Sequence, residues 1–216
     1  MNGNKLFFLF AIALGVALCS AGISQAAIIT GVTVVQGTDT GSELVVGGLD
    51  DGVLAYTDRV HELENIPEAL KGSDYVKLQN NARDDSPYEA QVTTSQLSLL
   101  YVLLDDRFGD GDGNDPPTGV PTFMSDGSVG LTPFVDTGAQ IDIDENADGS
   151  INQHFSLFVT LALPGTHSFR DAQNAGRNMY VIVASDTLVV PEPSTLMLAG
   201  MGLAACFACV RRRRIA

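Results

Sequence analysis

The sequence predicts an all-β protein: an antiparallel β-sandwich ectodomain between an N-terminal signal helix and a C-terminal transmembrane helix. Two observations carry this prediction. Short apolar or alternating runs divided by Gly, Asp, Asn and Pro fill residues 27–190, a pattern typical of antiparallel strands and their turns. Both ends of the chain are apolar and lack such breaks over most of their length.

Nine strands are expected in the ectodomain, and their predicted ranges are 28–35, 43–46, 53–56, 74–78, 88–93, 97–104, 140–143, 155–163 and 179–184. The run 97–104 is apolar on both faces and is expected at the centre of a sheet. One helical turn is expected at 66–71, with Asn65 as its cap and Gly72 as its stop.

The composition is that of a single acidic domain without disulfides. The chain has 216 residues and a formal charge of -14, and residues 27–190 alone carry 7 basic against 25 acidic side chains. Such a surface repels nucleic acid, which excludes nucleic-acid binding. Cys19, Cys206 and Cys209 all lie in the terminal segments. The ectodomain therefore has no disulfide, no cysteine nucleophile and no thiolate metal site.

Residues 1–26 have the pattern of a secretory signal peptide. Lys5 is followed by the apolar run 6–18, and Ser24-Gln25-Ala26 has the small residues that signal peptidase requires. We expect cleavage after Ala26 by signal peptidase, after passage through the export machinery. A retained anchor is the alternative, but the run is short for a membrane span. Lipidation at Cys19 is disfavoured by the bulky residue before it.

Residues 191–216 have the order of a breaker, an apolar segment and a positive stop. The sorting motif consists of Pro191, Glu192 and Pro193, and the membrane stop consists of Arg211, Arg212, Arg213 and Arg214. The prolines disfavour helix and predict an extended, accessible strap. The apolar segment 196–210 predicts a helix of roughly 22 Å, which is short for a hydrocarbon core of about 30 Å. The arginines are expected to stay cytoplasmic, with the ectodomain on the other side of the inner membrane.

This tail, about 26 residues long, resembles the PEP-CTERM sorting signal of bacterial surface and matrix proteins. The resemblance implies recognition of the triplet by a membrane-embedded exosortase, which acts as a cysteine transpeptidase and releases or transfers the protein outward. It implies a transient inner-membrane anchor followed by the cell surface or the extracellular matrix, including biofilm matrix. A plain C-terminal anchor with a proline-containing stem is the alternative.

Two acidic loops are candidates for weak calcium binding. Their candidate ligands are Asp110, Asp112 and Asp115 in the first loop, and Asp144, Asn146 and Asp148 in the second. The first lies in a Gly/Pro/Asp-rich stretch, 107–138, that is expected to be a functional loop or disordered. The second has EF-hand-like spacing, but Phe155 replaces its closing acid, so a hairpin turn between two strands is the favoured alternative.

No enzyme is expected from the remaining motifs. Asp39-Thr40-Gly41 and Asp136-Thr137-Gly138 resemble the aspartic-protease signature, which needs two carboxylates sharing one proton. Asp39 lacks the preceding apolar strand, and Asp, Thr and Gly are common in turns, so turn residues are the favoured interpretation. His61, His154 and His167 occur singly and are expected in turns or at the surface.

A second resemblance is to a module attached to secreted bacterial polysaccharide-active enzymes. Its segments are Tyr56-Thr57-Asp58-Arg59, Ile66-Pro67, Leu70-Lys71-Gly72, Val102 through Asp105-Asp106-Arg107, and Met179-Tyr180-Val181. It implies an extracellular polysaccharide as a partner. The aromatic platform used for sugar stacking is missing, since the chain has no Trp.

The sequence thus predicts an exported cell-surface or matrix protein with a non-enzymatic structural or binding role. A calcium-assisted carbohydrate-binding or adhesive module is the alternative, and an aspartic peptidase is the third hypothesis.

Overall fold

A computed structural model describes residues 26–109, 111, 113, 116–172 and 176–189. The predictions made for residues 1–25 and 191–216 lie outside the described residues, as do those for Asp110, Asp112 and Asp115. In the described part of the chain, no helix has both the length and the apolar character needed to cross a membrane.

The described residues form two antiparallel sheets, which confirms the all-β sandwich. The strands are β1 (Ile29–Gln36), β2 (Ser42–Val45), β3 (Val53–Leu54), β4 (Glu62–Glu64), β5 (Asp74–Leu78), β6 (Glu89–Thr94), β7 (Ser98–Asp105), β8 (Val135–Asp144), β9 (Gln153–Ala162), β10 (Gly165–Arg170) and β11 (Val181–Ser185). The small sheet has the order β1-β6-β10, and the large sheet has the order β2-β5-β11-β7-β9-β8-β4-β3.

The predicted central strand is β7, which lies between β11 and β9 in the large sheet. Its residues Leu100 to Leu104 are fully buried, as expected of a strand that is apolar on both faces. A short helix, α1 (Thr122–Ser125), contributes Phe123 to the core. The Phe123 ring lies 5.7 Å from that of Phe169 on β10 and 5.1 Å from that of Tyr180 before β11, so α1 joins the two sheets.

The helical turn predicted at 66–71 is wrong. The structure has hydrogen-bonded turns there, and Asn65 has φ 55°, which is not the extended conformation of a helix cap. The Ile66 N–H is bound instead by the Asp51 carboxylate at 2.8 Å. Gly72 does adopt the left-handed conformation, φ 76°, expected of the stop.

Several elements were missed or misjudged in length because they are short or polar. β4 has two glutamates in three residues, and β10 contains a single fully buried side chain, Phe169, among polar ones. The stretch 107–138 contains α1 and the start of β8, which is longer than predicted. A 3₁₀-helix, Asn80–Asp84, also has no counterpart in the prediction.

The large sheet has two chemically different ends. Its pairings are antiparallel throughout, so β5, β7 and β8 finish at the same end where β4, β9 and β11 begin. We call this the distal end. The opposite end, where β11 finishes and the chain continues toward residue 190, is called the tail end.

Both termini of the described domain are held at the tail end. The Tyr101 hydroxyl donates to the Thr187 carbonyl at 2.7 Å and accepts from the buried Val189 N–H at 2.9 Å. The buried Asp74 carboxylate accepts the N–H groups of Ile28 at 2.6 Å and Ile29 at 3.0 Å. Buried side chains therefore bind the backbone close to the predicted signal-peptidase site and close to the sorting motif.

Replacing Asp74 by Asn should destabilise the fold. Asp74 also accepts the Gly47 N–H at 2.8 Å with its other oxygen, and an amide offers only one acceptor atom. Leaving a buried N–H unsatisfied costs about 1–3 kcal/mol, or a fall in melting temperature of about 2–4 °C per kcal/mol. Thermal unfolding of the purified chain measures this. The control is Asp136→Asn at an exposed turn, and equal melting of both variants would contradict the assigned role of Asp74.

Candidate functional site: an arginine-lined cleft

A polar cleft of about 260 Å³ opens at the distal end. Its lining comes from five separate loops, and the residues are Arg59, His61, Asn80, Arg83, Arg107, Glu145, Gly176, Arg177 and Asn178. These loops follow β3, β5, β7 and β8 or precede β11. The antiparallel order of the strands brings together residues that are more than a hundred positions apart in the sequence.

The cleft gathers the scarce positive charge of an acidic domain. Only seven basic side chains occur between residues 27 and 190, and four of them are arginines that line this cleft. An even distribution over the surface would not give this arrangement. Guanidinium groups present planar sets of donors that match carboxylate, phosphate or sulfate oxygens. The cleft is therefore the candidate binding site of the described residues.

The fully buried carboxylate of Asp105, at the end of β7, organises the cleft. It accepts the Arg107 N–H at 3.0 Å and binds the Arg107 guanidinium through Nε at 2.9 Å and through Nη2. It also accepts the Asn178 N–H at 3.0 Å. The hydrogen bonds to Asp105 raise the pKa of Arg107 above its ordinary value, although burial opposes them. Asp105 thus fixes one arginine and the loop before β11 together.

Two buried asparagines and a tyrosine extend this network. Asn80 donates to the Asn178 side chain at 3.1 Å and accepts the Met179 N–H at 2.7 Å. The Tyr56 hydroxyl donates to the Met179 carbonyl at 2.5 Å, and burial raises its pKa well above the ordinary value, so it keeps its proton. Asn178 also donates to Glu145 at 2.8 Å. The floor of the cleft is rigid because each of these groups has a partner.

Two buried polar atoms on the cleft-lining residues make no hydrogen bond in the described part of the chain: Nδ1 of His61 and Nε of Arg83. Arg83 Nε lies 3.5 Å from an Asp84 oxygen and so has an ion-pair partner. Burial lowers the pKa of His61, whose ring packs edge-on against Tyr56 at 5.6 Å, so the imidazole is neutral at pH 7. Unsatisfied buried donors and acceptors are costly, and a polar ligand in the cleft would supply their missing partners.

The loop predicted as the second calcium site is the hairpin turn between β8 and β9, as the favoured alternative had it. Both Asp144 oxygens accept backbone N–H groups, from Asn146 at 2.9 Å and Gly149 at 2.6 Å. Burial of this carboxylate raises its pKa, but bonds from the loop amides outweigh that effect and hold the pKa below its ordinary value. Asp148 accepts the Ser150 N–H at 3.0 Å.

A calcium ion would therefore compete with amide donors for the Asp144 oxygens. Among the described residues, no group of three or more His, Cys, Asp or Glu side chains is placed to hold a metal. Calcium binding by Asp144, Asn146 and Asp148 stays a prediction, as does binding by the first acidic loop. Glu145 of the second loop lines the cleft, and the described residues Gly111 and Gly113 of the first lie next to cleft arginines. A Cβ on Gly111 would lie 3.0 Å from Arg177 Nη2, and one on Gly113 would lie 3.1 Å from Arg107 Cγ.

The two protease-like motifs lie apart in the fold. Asp39 follows β1 of the small sheet, and its N–H donates at 2.8 Å to Asp85, which is 46 residues away. Asp136 belongs to β8 of the large sheet, and its carboxylate accepts the Gly138 N–H at 2.8 Å. The expected local turn is thus seen at Asp136, within a strand, and the bond of Asp39 is long-range. Of the histidines, His154 contacts Asp142 at 2.6 Å, and His167 contacts the Leu163 carbonyl at 3.0 Å.

The four cleft arginines were not identified as a site from the sequence, because they are isolated residues spread over 119 positions. One signal could have found them. The segments that resemble the polysaccharide-associated module contain Arg59, Asp105, Arg107 and Met179, and the structure brings all four to the distal end. The rarity of basic residues in an acidic domain was a second signal.

Replacing Asp105 by Asn should destabilise the protein by about 3 kcal/mol, because breaking a buried ion pair leaves Arg107 without its bidentate partner. The matched control is Asp106→Asn at the neighbouring, equally buried position. Asp106 accepts the Ser156 N–H at 2.7 Å and the Gln140 amide at 2.6 Å, and neither donor is charged, so its replacement should cost about 1 kcal/mol, less than the loss at Asp105. Urea unfolding of both variants tests this, and equal losses would contradict the role given to Asp105.

Comparison with solved structures supports the fold. The chain is similar to a β-glucuronidase from glycoside hydrolase family 2, with 20% identity, a TM-score of 0.52, and coverage of 71% of this chain and 14% of that enzyme. A GH138 enzyme targeting pectin rhamnogalacturonan II gives 12% identity and a TM-score of 0.46, with coverage of 80% and 19%. The chain therefore spans less than a fifth of either enzyme. No curated protein sequence matches it.

Comparison with family models identifies the tail. Residues 189–214 match the model described as the PEP-CTERM protein-sorting motif, which covers the triplet, the apolar segment and the arginines. The match begins at Val189, the residue that Tyr101 holds against the folded domain. The chain is thus an exported protein that carries a PEP-CTERM sorting signal for an exosortase and is processed at the membrane as a surface protein.

Proposed function

We propose that the chain is a non-enzymatic binding protein of the cell surface or extracellular matrix, and that its arginine-lined cleft binds a carboxylate-bearing saccharide. The observation that carries this proposal is the gathering of four of the seven ectodomain basic residues in one cleft. The likeness to the β-glucuronidase supports the fold alone, so the ligand class rests on the chemistry of the cleft.

The charge balance favours a ligand with a localised negative group. The domain is strongly acidic outside the cleft, so a densely charged polymer is repelled at long range. A saccharide with separated carboxylates can place one of them among the arginines while its neutral hydroxyls face the acidic rim. His61 adds a polar side chain whose Nδ1, which makes no hydrogen bond among the described residues, can help to orient such a ligand.

Binding is favoured over hydrolysis by the carboxylates of the cleft. Glycoside hydrolysis generally uses two carboxylic acids on opposite sides of the bond to be cut. Among the described residues that line the cleft, Glu145 is the one acid, and it is bonded to Asn178 and lies 3.6 Å from Arg107. Asp39, after β1 of the small sheet, and Asp136, on β8 of the large sheet, belong to separate elements, which also argues against an aspartic peptidase, whose two carboxylates share one proton.

The position of the cleft suits a displayed protein. Strand β11 begins beside the cleft-lining Asn178 at the distal end and finishes at Ser185, close to Val189 and the sorting signal at the tail end. A protein held at its tail end therefore keeps the cleft away from the point of attachment.

Removing the sorting triplet should block processing. Replacing Pro191, Glu192 and Pro193 by Ala should leave the uncleaved chain in the inner-membrane fraction, because an alanine strap continues into helix and no longer offers an extended substrate. Immunoblots of fractionated cells, with and without the exosortase, measure this. The control replaces Ser194 and Thr195 by Ala and keeps the triplet. Normal processing of the triplet variant would contradict the sorting role of the triplet and favour a plain C-terminal anchor.

Removing two cleft arginines should weaken ligand binding. For a short oligogalacturonate, Arg83→Ala with Arg177→Ala should lower affinity by about 100-fold or more, since hydrogen bonds to charged groups contribute about 1.5–3 kcal/mol each and two arginines are lost. Calorimetry measures the change. The matched control is Arg170→Ala, an exposed arginine of the small sheet, and a neutral galactose oligomer should bind neither protein. Equal effects of the cleft and control variants would overturn the proposal.

The pH dependence of binding provides an independent arm of this experiment. The pKa of His61 is lowered by burial, so the ring gains its proton only as the pH falls below about 6.5, and it then adds a positive charge to the cleft. Affinity for the oligogalacturonate should therefore rise between pH 7 and pH 5, where its carboxylates remain ionised. The rise should be absent in His61→Gln.

A further inference from the structure

An exposed aliphatic surface lies on the large sheet near the tail end. Leu99 of β7 pairs directly with Leu161 of β9, and Val159 of β9 pairs with Val135 of β8. Leu163 follows Ala162 at the end of β9. Residues that pair directly, or that alternate along one strand, share one face, and we call the face formed by these five residues the aliphatic ladder. Val135 is 61% exposed, Leu163 is 51% exposed and Leu161 is 39% exposed, whereas Leu99 and Val159 are partly buried against the core.

The ladder extends beyond these pairs. Leu97 precedes Ser98, the register partner of Ala162, and is 53% exposed. Leu131, which donates its N–H to the Leu161 carbonyl at 2.7 Å, is exposed to the same degree. Five of the eleven large exposed hydrophobic side chains therefore occur together here. Contiguous apolar surface of this kind marks a place of contact with a partner.

The chain leaves the domain beside this ladder. Tyr101 is the register partner of Val159, two residues along β7 from Leu99, and its hydroxyl holds Thr187 and Val189. Six residues, 190–195, then separate Val189 from the apolar segment 196–210. Six extended residues span at most about 21 Å. Whatever medium receives the apolar segment must therefore lie within that distance of Val189.

We infer that the aliphatic ladder rests on the lipid surface of the membrane that holds residues 196–210, before the sorting signal is processed. The short connection brings the ladder to that surface. The ladder consists of Leu and Val side chains without charge, which suits insertion among lipid headgroups. The inference goes beyond the proposed function, because it concerns the seating of the domain during sorting and makes no use of the cleft.

The absence of Trp from the chain allows a clean test in the full-length protein. A single reporter is introduced as Leu161→Trp on the ladder, and the matched control is Val35→Trp, at a half-exposed aliphatic position of the small sheet. Each variant is reconstituted in phosphatidylcholine vesicles, with or without brominated acyl chains. Interfacial side chains reach about 5–10 Å into the headgroup and acyl boundary, so brominated lipid should quench Leu161→Trp at least about twofold more than Val35→Trp.

Adding Leu97→Ser and Leu163→Ser to the Leu161→Trp variant should abolish the extra quenching without lowering the melting temperature, because both side chains are exposed. Equal quenching of the two reporters would overturn the inference. Blue-shifted Trp emission that brominated lipid does not quench would also overturn the inference, because it would show the ladder covered by protein. If that emission shifts to the red when the protein is diluted with more lipid, a second copy covers the ladder. If dilution has no effect, residues 196–210 of the same chain cover it.

Discussion

The buried carboxylate of Asp105 is the interaction on which the distal end of the protein depends. A charge at the end of the central strand is tolerable only when donors surround it, and Asp105 receives them from Arg107 and from the Asn178 backbone. The bond to Asn178 fixes the start of β11, and Asn80 and Tyr56 bind the adjacent Met179. The loops of four strands therefore have one arrangement, and the cleft arginines project from a rigid base.

The same principle operates at the tail end with different groups. Asp74 binds the backbone where the domain begins, and Tyr101 binds it where the domain finishes. Side chains thus bind the backbone near both ends of the described domain. Val189, which Tyr101 binds, is also the residue at which the match to the sorting motif begins, so the folded domain and the sorting motif meet at one buried residue.

The sequence predicted the sandwich and the sorting signal because both depend on local pattern. Alternation of apolar residues defined most strands, and 97–104 was correctly expected at the centre, because burial on both faces requires a continuous apolar run. The strands that were missed, β4 and β10, are short or polar. Each is held in its sheet by pairing with a neighbour, β4 with β8 and β10 with β6. Asn65 failed as a cap because its backbone adopts the left-handed conformation, φ 55°, and the second residue after it is Pro67, which has no N–H for a cap to bind.

The cleft could not be predicted in the same way, since its residues share no spacing and meet only through the antiparallel order of the strands. The amino-acid composition gave one indication of the cleft. Acidic side chains predominate in this domain and favour its solubility. Four arginines in one cleft therefore indicate a local requirement for positive charge. Only part of that requirement is structural. Asp105 binds Arg107, Asp58 binds Arg59 at 3.1 Å, and Arg83 Nε lies 3.5 Å from an Asp84 oxygen, so three of the four arginines have a carboxylate next to them in the chain or two residues away. Such local pairs do not require the four guanidinium groups to meet in one opening, and their meeting there is the physical reason to propose this cleft as a ligand site.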